Sequence, residues 1–163
     1  MNKVAIITGS TRGIGLGIAR RLGGAGYLVA LNHLSRKPAR VSGFEHIVVK
    51  ADVRKPPGAK SLVAAVVKKW GRVDVLVNNI GDFFETPVSD MKIGKWDEIF
   101  DSNVRTALNC TREVLPRMRK QKSGCIINLG WTSTQSLRGN PAYVSYVMAK
   151  TALIVFTKSL ALE

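Results

Sequence analysis

Val4-Ala5-Ile6-Ile7-Thr8-Gly9-Ser10-Thr11-Arg12-Gly13-Ile14-Gly15 is the stretch whose reading decides the fold. Its first part is an apolar, β-branched run, predicted as a strand from Lys3 to Thr8 that is buried on both faces. Gly13 to Gly26 then reads as a helix, with Ile14, Ile18, Ala19 and Leu22 at helical spacing. Glycines at a strand-to-helix junction let the backbone turn tightly and approach a phosphate, whose charge the helix N-terminus attracts. The spacing is Gly-x-x-x-Gly-x-Gly rather than Gly-x-Gly-x-x-Gly.

Downstream the same alternation repeats. Further strands are predicted at Tyr27 to Leu31, Glu45 to Lys50, Val73 to Val77 and Cys125 to Leu129. Helices are expected at Leu62 to Trp70, Trp96 to Met118 and Tyr143 to Leu162. Strands alternating with helices predict parallel βαβ units, hence an α/β sheet covered on both faces. Ligands of such sheets bind at the carboxyl ends of the strands, where the Ser/Thr/Gly/Asn-rich loop Thr132 to Pro141 also lies.

A chain of 163 residues, 45% hydrophobic and 22% charged, suits one globular domain with a real core. No apolar run approaches the roughly 20 residues that span a bilayer, and Thr8-Gly9-Ser10 with Arg12 interrupts the N-terminal apolar stretch too early for a signal peptide. A cytoplasmic protein without membrane contact is expected. Cys110 and Cys125 have no metal-ligand spacing and read as small buried hydrophobes, so no metal is expected. The net charge of +14 comes from 25 basic and 11 acidic residues. The basic residues stand in small groups without interleaved aromatics, which argues against nucleic-acid binding and for solvated faces.

Tyr146 and Lys150 are four residues apart, on one face of a helix. A cation beside a phenol lowers the tyrosine pKa, which is expected to fit this pair for proton transfer at neutral pH.

Taken together, Thr8 to Gly15, Asp52-Val53, Asn78-Asn79-Ile80-Gly81, Asn103-Val104 and Tyr146-Val147-Met148-Ala149-Lys150 resemble the motifs of a classical short-chain dehydrogenase/reductase, in the correct order. The ending Phe156 to Glu163 is similar to the 3-oxoacyl carrier-protein reductase branch. The resemblance implies a Rossmann-like doubly wound parallel sheet in three layers, α/β/α, with about five strands present. It implies Tyr146 as general acid and Lys150 as the residue that holds the nicotinamide ribose and tunes the phenol. Asn103 would anchor a water in the proton relay. A serine on the substrate oxygen is expected thirteen residues before the tyrosine, at Ser133, with Thr132 and Thr134 as alternatives. The count forward from Asn128 instead reaches Trp131, so this loop reads as about two residues longer than in the family. Cofactor contacts are implied at Gly9, Thr11, Arg12, Gly13, Ile14, Gly15, Asp52, Val53, Asn79, Ile80, Gly81, Tyr146 and Lys150.

An acid ending the second strand would favour NAD, whereas cations accept the 2′-phosphate of NADP. Leu31-Asn32-His33-Leu34-Ser35-Arg36-Lys37 carries no acid, so NADP(H) is expected over NAD(H), with Arg12 and Arg36 or Lys37 on the phosphate. The partners implied are a small carbonyl or alcohol substrate, with an acyl-carrier-linked one among the candidates, and further copies of the chain in a homo-oligomer. Family members continue past this last helix, so residues 1–163 are expected to be the NAD(P)-binding domain without the last strands and the substrate-binding segment. Cofactor held weakly and little turnover would follow. The alternative is an interaction module that docks to a full-length relative.

Overall fold

A computed structural model describes residues 2–35, 41–132 and 136–163. Strand β1 (Val4–Ile7) has no exposed residue, because both faces of the sheet are covered at its centre. It pairs with β2 (Leu28–His33) on one side and β4 (Val75–Asn78) on the other. β3 (His46–Lys50) and β5 (Cys125–Asn128) complete a parallel sheet in the order β3-β2-β1-β4-β5. The order reverses at β1, which opens a crevice at the carboxyl ends of β1 and β4.

Side-chain alternation along β1 divides the core. Val4 and Ile6 pack with Leu76, with Leu62 and Val66 of α2 (Pro56–Trp70), and with Cys110 and Val114 of α4 (Thr106–Gln121). Ala5 and Ile7 face the other layer, where Ile18, Ala19 and Leu22 of α1 (Gly13–Gly24) close over Val29, Leu31 and Val77. These are the α/β/α layers the alternating pattern predicts. Each fully buried Leu or Ile contributes on the order of 1.5–3 kcal/mol of transfer free energy.

Several boundaries differ from the sequence reading, each for a local reason. α2 starts at Pro56, six residues early, because proline fits the first helical position, where no backbone N–H needs an acceptor. β2 runs on to His33, since Asn32 is fully buried and its polar groups are all met within the fold. The single long helix expected over Trp96 to Met118 is three pieces. α3 (Ile93–Phe100) leads through a π-helical turn (Asp101–Arg105) into α4. Cys125 is exposed on β5, whereas Cys110 is buried as expected.

The last helix, α5 (Val144–Leu162), packs against α3, the π-helical turn and β5. With 19 residues and a mean hydropathy of 1.3, it is long and apolar enough to cross a membrane by length and composition. That corrects the expectation that no segment reaches this limit. Its place in the fold is a covering layer of the sheet, with Ser145, Ala149, Lys150 and Leu153 buried.

Asp74, just before β4, ties the two central strands together. Its carboxylate accepts the Val4 N–H at 2.8 Å and the Arg72 guanidinium at 2.6 and 2.8 Å. Burial is the largest influence and raises its pKa, but the Arg72 and Val4 hydrogen bonds outweigh it together and hold the carboxyl below its ordinary range. A folded-state pKa below the unfolded one gives stability that is present above the ordinary carboxylate range and lost as pH falls through the folded value. Asp74→Ala is expected to cost about 1–3 kcal/mol at pH 7 by leaving the Val4 N–H unpaired. Urea unfolding of parent and variant between pH 7 and pH 2 should show the gap narrowing towards acid. A gap that stays constant would show that the charge of Asp74 is not its source.

Candidate active site

Where β1 ends, the chain leaves the sheet at Gly9 with a positive φ of 60°, and an added Cβ there would lie 2.8 Å from Ile80 Cγ1. Glycine is therefore required both by the backbone and by its neighbour. The turn is held from both adjacent strands. On the β2 side, Asn32 Oδ1 accepts the Gly9 N–H at 3.3 Å, while its Nδ2 donates to the carbonyls of Val49 and Ala51. Ser10 Oγ donates to the Ile7 carbonyl and accepts the Asn32 N–H. On the β4 side, Asn79 Nδ2 donates to the carbonyls of Thr8 (2.8 Å) and Gly9 (3.1 Å). Thr8 Oγ1 accepts the N–H groups of Asn79 and Ile80.

This turn floors a cleft of about 540 Å³. Gly9, Thr11 to Gly15, Asn32 to Ser35, Ala51 to Arg54, Asn79 to Asp82 and Ser102 form its wall. Arg12 is the N-cap of α1, and neither a capping side chain nor an acidic residue occupies that helix's first turn. The helix N-terminus therefore presents its backbone N–H groups and positive dipole end to the cleft. Asp52 is bound in fork geometry by Arg54, at 2.9 and 3.0 Å, and the Arg54 hydrogen bond is the main cause of its lowered pKa. Asn109 of α4 donates to the carbonyls of Val53 and Arg54 and so fixes this wall from below. His33 ends β2 beside the cleft, with its Nδ1 buried and without a hydrogen-bond partner. Arg36 and Lys37 lie outside the described residues, as do Ser133 and Thr134.

Behind Gly81, a residue of the cleft wall, stand the polar groups expected from the motifs. Asn103 sits in the π-helical turn, a local widening that often marks functional sites. Its Nδ2 donates to the carbonyls of Asp82 and Ile99, at 2.9 and 3.0 Å, whereas its Oδ1 is buried and has no hydrogen-bond partner. Lys150, only 4% exposed, donates to the Leu129 carbonyl at 2.9 Å. A Cβ on Gly81 would collide with Asn103 Oδ1 and lie 3.1 Å from Lys150 Nζ, so these two groups converge on one short piece of backbone. Thr132 is described and exposed.

The phenol of Tyr146 departs from the sequence expectation. Its pKa is raised by burial, not lowered by Lys150. The ammonium stands 5.5 Å from the ring centroid, and it is itself poorly solvated. Burial pushes the Lys150 pKa down to about 8.

Three features escaped the sequence reading. The first is the pair of asparagines, Asn32 and Asn109, whose amides serve distant carbonyls. The second is a chain of amides from β4 through β5 to α5. In it, Asn78 Nδ2 donates to Asn128 Oδ1, and Asn128 Nδ2 donates to Thr157 Oγ1, both at 2.8 Å. The third is an aromatic wall in which Phe83 and Trp131 have ring centroids 6.0 and 6.3 Å from that of Tyr146.

A parallel sheet reversing at β1, with a glycine turn on a free helix N-terminus at that point, defines a nucleotide-binding α/β protein of the doubly wound class. Within that class, the chain belongs to the short-chain dehydrogenase family, whose model matches residues 3–163. These proteins are oxidoreductases that use NAD(P). The chain is 39% identical to the 3-oxoacyl-[acyl-carrier-protein] reductase FabG of Staphylococcus epidermidis, an alignment that covers 100% of this chain and 69% of the relative. It is 37% identical to the 3-oxoacyl-[acyl-carrier-protein] reductase of Synechocystis sp., covering 99% and 68%. It is also 36% identical to the D-beta-hydroxybutyrate dehydrogenase of Rhizobium meliloti, covering 100% and 66%. The chain thus spans about two thirds of the length of these relatives.

The buried lysine gives a signed pH dependence. Between about 8 and the ordinary lysine value of 10.5, the folded state has released the Lys150 proton while the unfolded chain still holds it. Stability contributed by this group therefore rises with pH across that window and is absent below it. In urea titrations from pH 7 to pH 10.5, Lys150→Met should abolish this rise. A variant that still tracks the parent would show that Lys150 is not its origin.

Proposed function

We propose that this chain binds NADP(H) and transfers a hydride between the nicotinamide and a carbonyl/alcohol substrate, with Tyr146 as the acid or base. The observation that carries this reading is the convergence of Asn103 Oδ1 and Lys150 Nζ on Gly81, beside the ring of Tyr146. A buried acceptor without a partner and a buried amine are costly unless a ligand or water uses them. Tyr146, kept protonated by its raised pKa, is in the form that reduction needs. The reduced nicotinamide, when bound, supplies the hydride.

In this reading the site residues divide the work along the cleft. Gly9, Thr11, Gly13, Ile14 and Gly15 offer backbone to the pyrophosphate, and Asp52 and Val53 the adenine side. Asn79, Ile80 and Gly81 line the path between the adenine and nicotinamide ends. Arg12, with Arg36 or Lys37, holds the 2′-phosphate, and the lack of an acid at the end of β2 removes the repulsion an NAD site would impose. Lys150 and Tyr146 hold the nicotinamide ribose. Asn103 Oδ1 accepts from a water that returns a proton to Tyr146 through Lys150. Ser133, or its neighbours Thr132 and Thr134, donates to the substrate oxygen.

Residues 1–163 would then form the cofactor-binding domain. The substrate is a small carbonyl or alcohol compound, and the names of the reductase relatives support a carrier-linked acyl group among the candidates. Met148 and Val155, 48% and 61% exposed on α5, support association of copies through that helix.

Fluorescence titration should give a Kd for NADPH at least tenfold below that for NADH, a difference of about 1.4 kcal/mol. Arg12→Ala should shrink that ratio by weakening NADPH alone. Equal or tighter NADH binding would reject the assignment. Tyr146→Phe should lower whatever turnover the chain has by roughly 10²–10⁴-fold, far more than the loss of NADPH affinity of about tenfold or less expected from one missing ribose hydrogen bond. A variant with full turnover would remove the tyrosine from the chemistry.

A further inference from the structure

We infer that the carbonyl substrate is an aryl ketone, recognised by edge and face contacts with Phe83 and Trp131 rather than by an aliphatic acyl pocket; this rests on Tyr146 being the proton donor.

The rings around Tyr146 serve neither core of the sheet. Phe83, Trp131 and Tyr146 belong to neither of the two buried apolar clusters, and Phe83 is 60% exposed. The planes of Phe83 and Trp131 are tilted by 60° and 68° to that of Tyr146. Phe83 also has the Tyr143 ring at 6.1 Å, tilted by 55°. Aromatic pairs favour such edge-to-face geometry at centroid separations of about 4.5–7 Å, and a flat third ring can join them on the same terms. Phe83 is exposed and Trp131 and Tyr146 are half-buried, so the open part of these rings is apolar surface that folding leaves to a ligand.

The loop carrying Phe83 is already in place. The Tyr143 hydroxyl donates to the Glu85 carboxylate, and the Thr86 N–H donates to the Ala142 carbonyl at 2.8 Å. Both bonds pin the loop after β4 to the start of α5, so Phe83 and Tyr146 are fixed relative to one another. A pre-organised wall loses little side-chain freedom on binding.

Bond connectivity then selects the substrate class. In an aryl ketone the ring is attached to the carbonyl carbon itself. With its oxygen in hydrogen-bond reach of the Tyr146 hydroxyl, its ring must lie within a few ångströms of that phenol, where Phe83 and Trp131 stand. An aliphatic ketone would place a flexible chain against the same faces, lose more rotamer freedom and gain no ring pairing. In the reduction, hydride from the reduced nicotinamide forms the new C–H bond at the carbonyl carbon. The C=O π pair moves to oxygen, which takes the Tyr146 proton. A secondary benzylic alcohol and the oxidised cofactor result.

Acetophenone and 2-octanone have the same number of carbons and separate the two possibilities. With NADP⁺ present, ligand-observed NMR titration of the 163-residue chain should show acetophenone binding about fivefold to tenfold tighter than 2-octanone. Phe83→Leu and Trp131→Leu keep apolar bulk but remove the rings, and each should bring that ratio towards one with the NADP⁺ Kd unchanged as a check on folding. Equal or tighter binding of 2-octanone would overturn the inference. So would failure of both ketones to bind, or a preference that survives both substitutions. If acetophenone is preferred and the rings carry that preference, but Tyr146→Phe turns over normally, the proposed chemistry fails while the aromatic recognition stands.

Discussion

Backbone hydrogen bonding at the end of β1 is the constraint on which this structure depends. Where the chain leaves the sheet, the Thr8 and Ser10 N–H groups still reach the Val77 and Asn32 carbonyls, but the Gly9 N–H and the Thr8 and Gly9 carbonyls have no strand partner, which would cost on the order of 1–3 kcal/mol for each group left unpaired. The side chains of Asn32 and Asn79 satisfy these three groups, while the Thr8 and Ser10 hydroxyls serve neighbouring backbone at Asn79, Ile7 and Asn32. Because Asn32 also donates to the Val49 and Ala51 carbonyls, and Asn79 directly follows β4, the turn is built into the sheet rather than attached to it. The helix N-terminus that follows is therefore aimed with the precision of the sheet itself.

The same device recurs further along. Asn109 holds the wall that bears Asp52 and Val53, and Asn103 holds the loop that bears Asp82. Asn78 and Asn128 carry the linkage from β4 through β5 to Thr157 on the tyrosine helix. An amide suits these positions since it donates and accepts without a charge to desolvate. The groups left over are informative. Asn103 Oδ1 and the amine of Lys150 are buried near Gly81, one without a partner and the other with its pKa pulled down to about 8. Among the described residues, the buried polar atoms without a partner are Asn78 Oδ1 at the end of β4, His33 Nδ1 beside the cleft and Asn103 Oδ1 near Gly81, so the unfinished part of the network lies towards the carboxyl ends of the strands.

The fold was legible because its signals are local. Short β-branched runs and 3.6-residue periodicity predict five strands and their helices, and the structure contains them in that order. The boundaries that shifted involve residues whose ordinary meaning was reversed by context. Pro56 and Pro57 start α2 ahead of the helix expected from Leu62, and Asn32, past the strand expected to end at Leu31, is fully buried in β2. The π-helical turn escaped the sequence reading, which took Trp96 to Met118 as one helix; the single wide turn between α3 and α4 is fixed by how those helices pack. Its consequence is to widen the turn at Asn103, and only the packing of α5 against it makes that useful.

By itself, the sequence determined the alternation of strands and helices, the glycine turn and the i, i+4 spacing of Tyr146 and Lys150. These follow from residue type and spacing, which the chain carries along its length, whereas Asn103 is a candidate through the family resemblance. Tertiary structure alone decided the electrostatics and the neighbours. A helical i, i+4 spacing places Lys150 near Tyr146, but the depth of the pair in the fold raises the phenol's pKa and lowers the amine's. Likewise Phe83 and Trp131 are 48 positions apart in the chain and become two sides of one wall through β4 and β5 lying side by side. Burial and long-range juxtaposition depend on the whole packed sheet, so no short stretch of sequence can specify them.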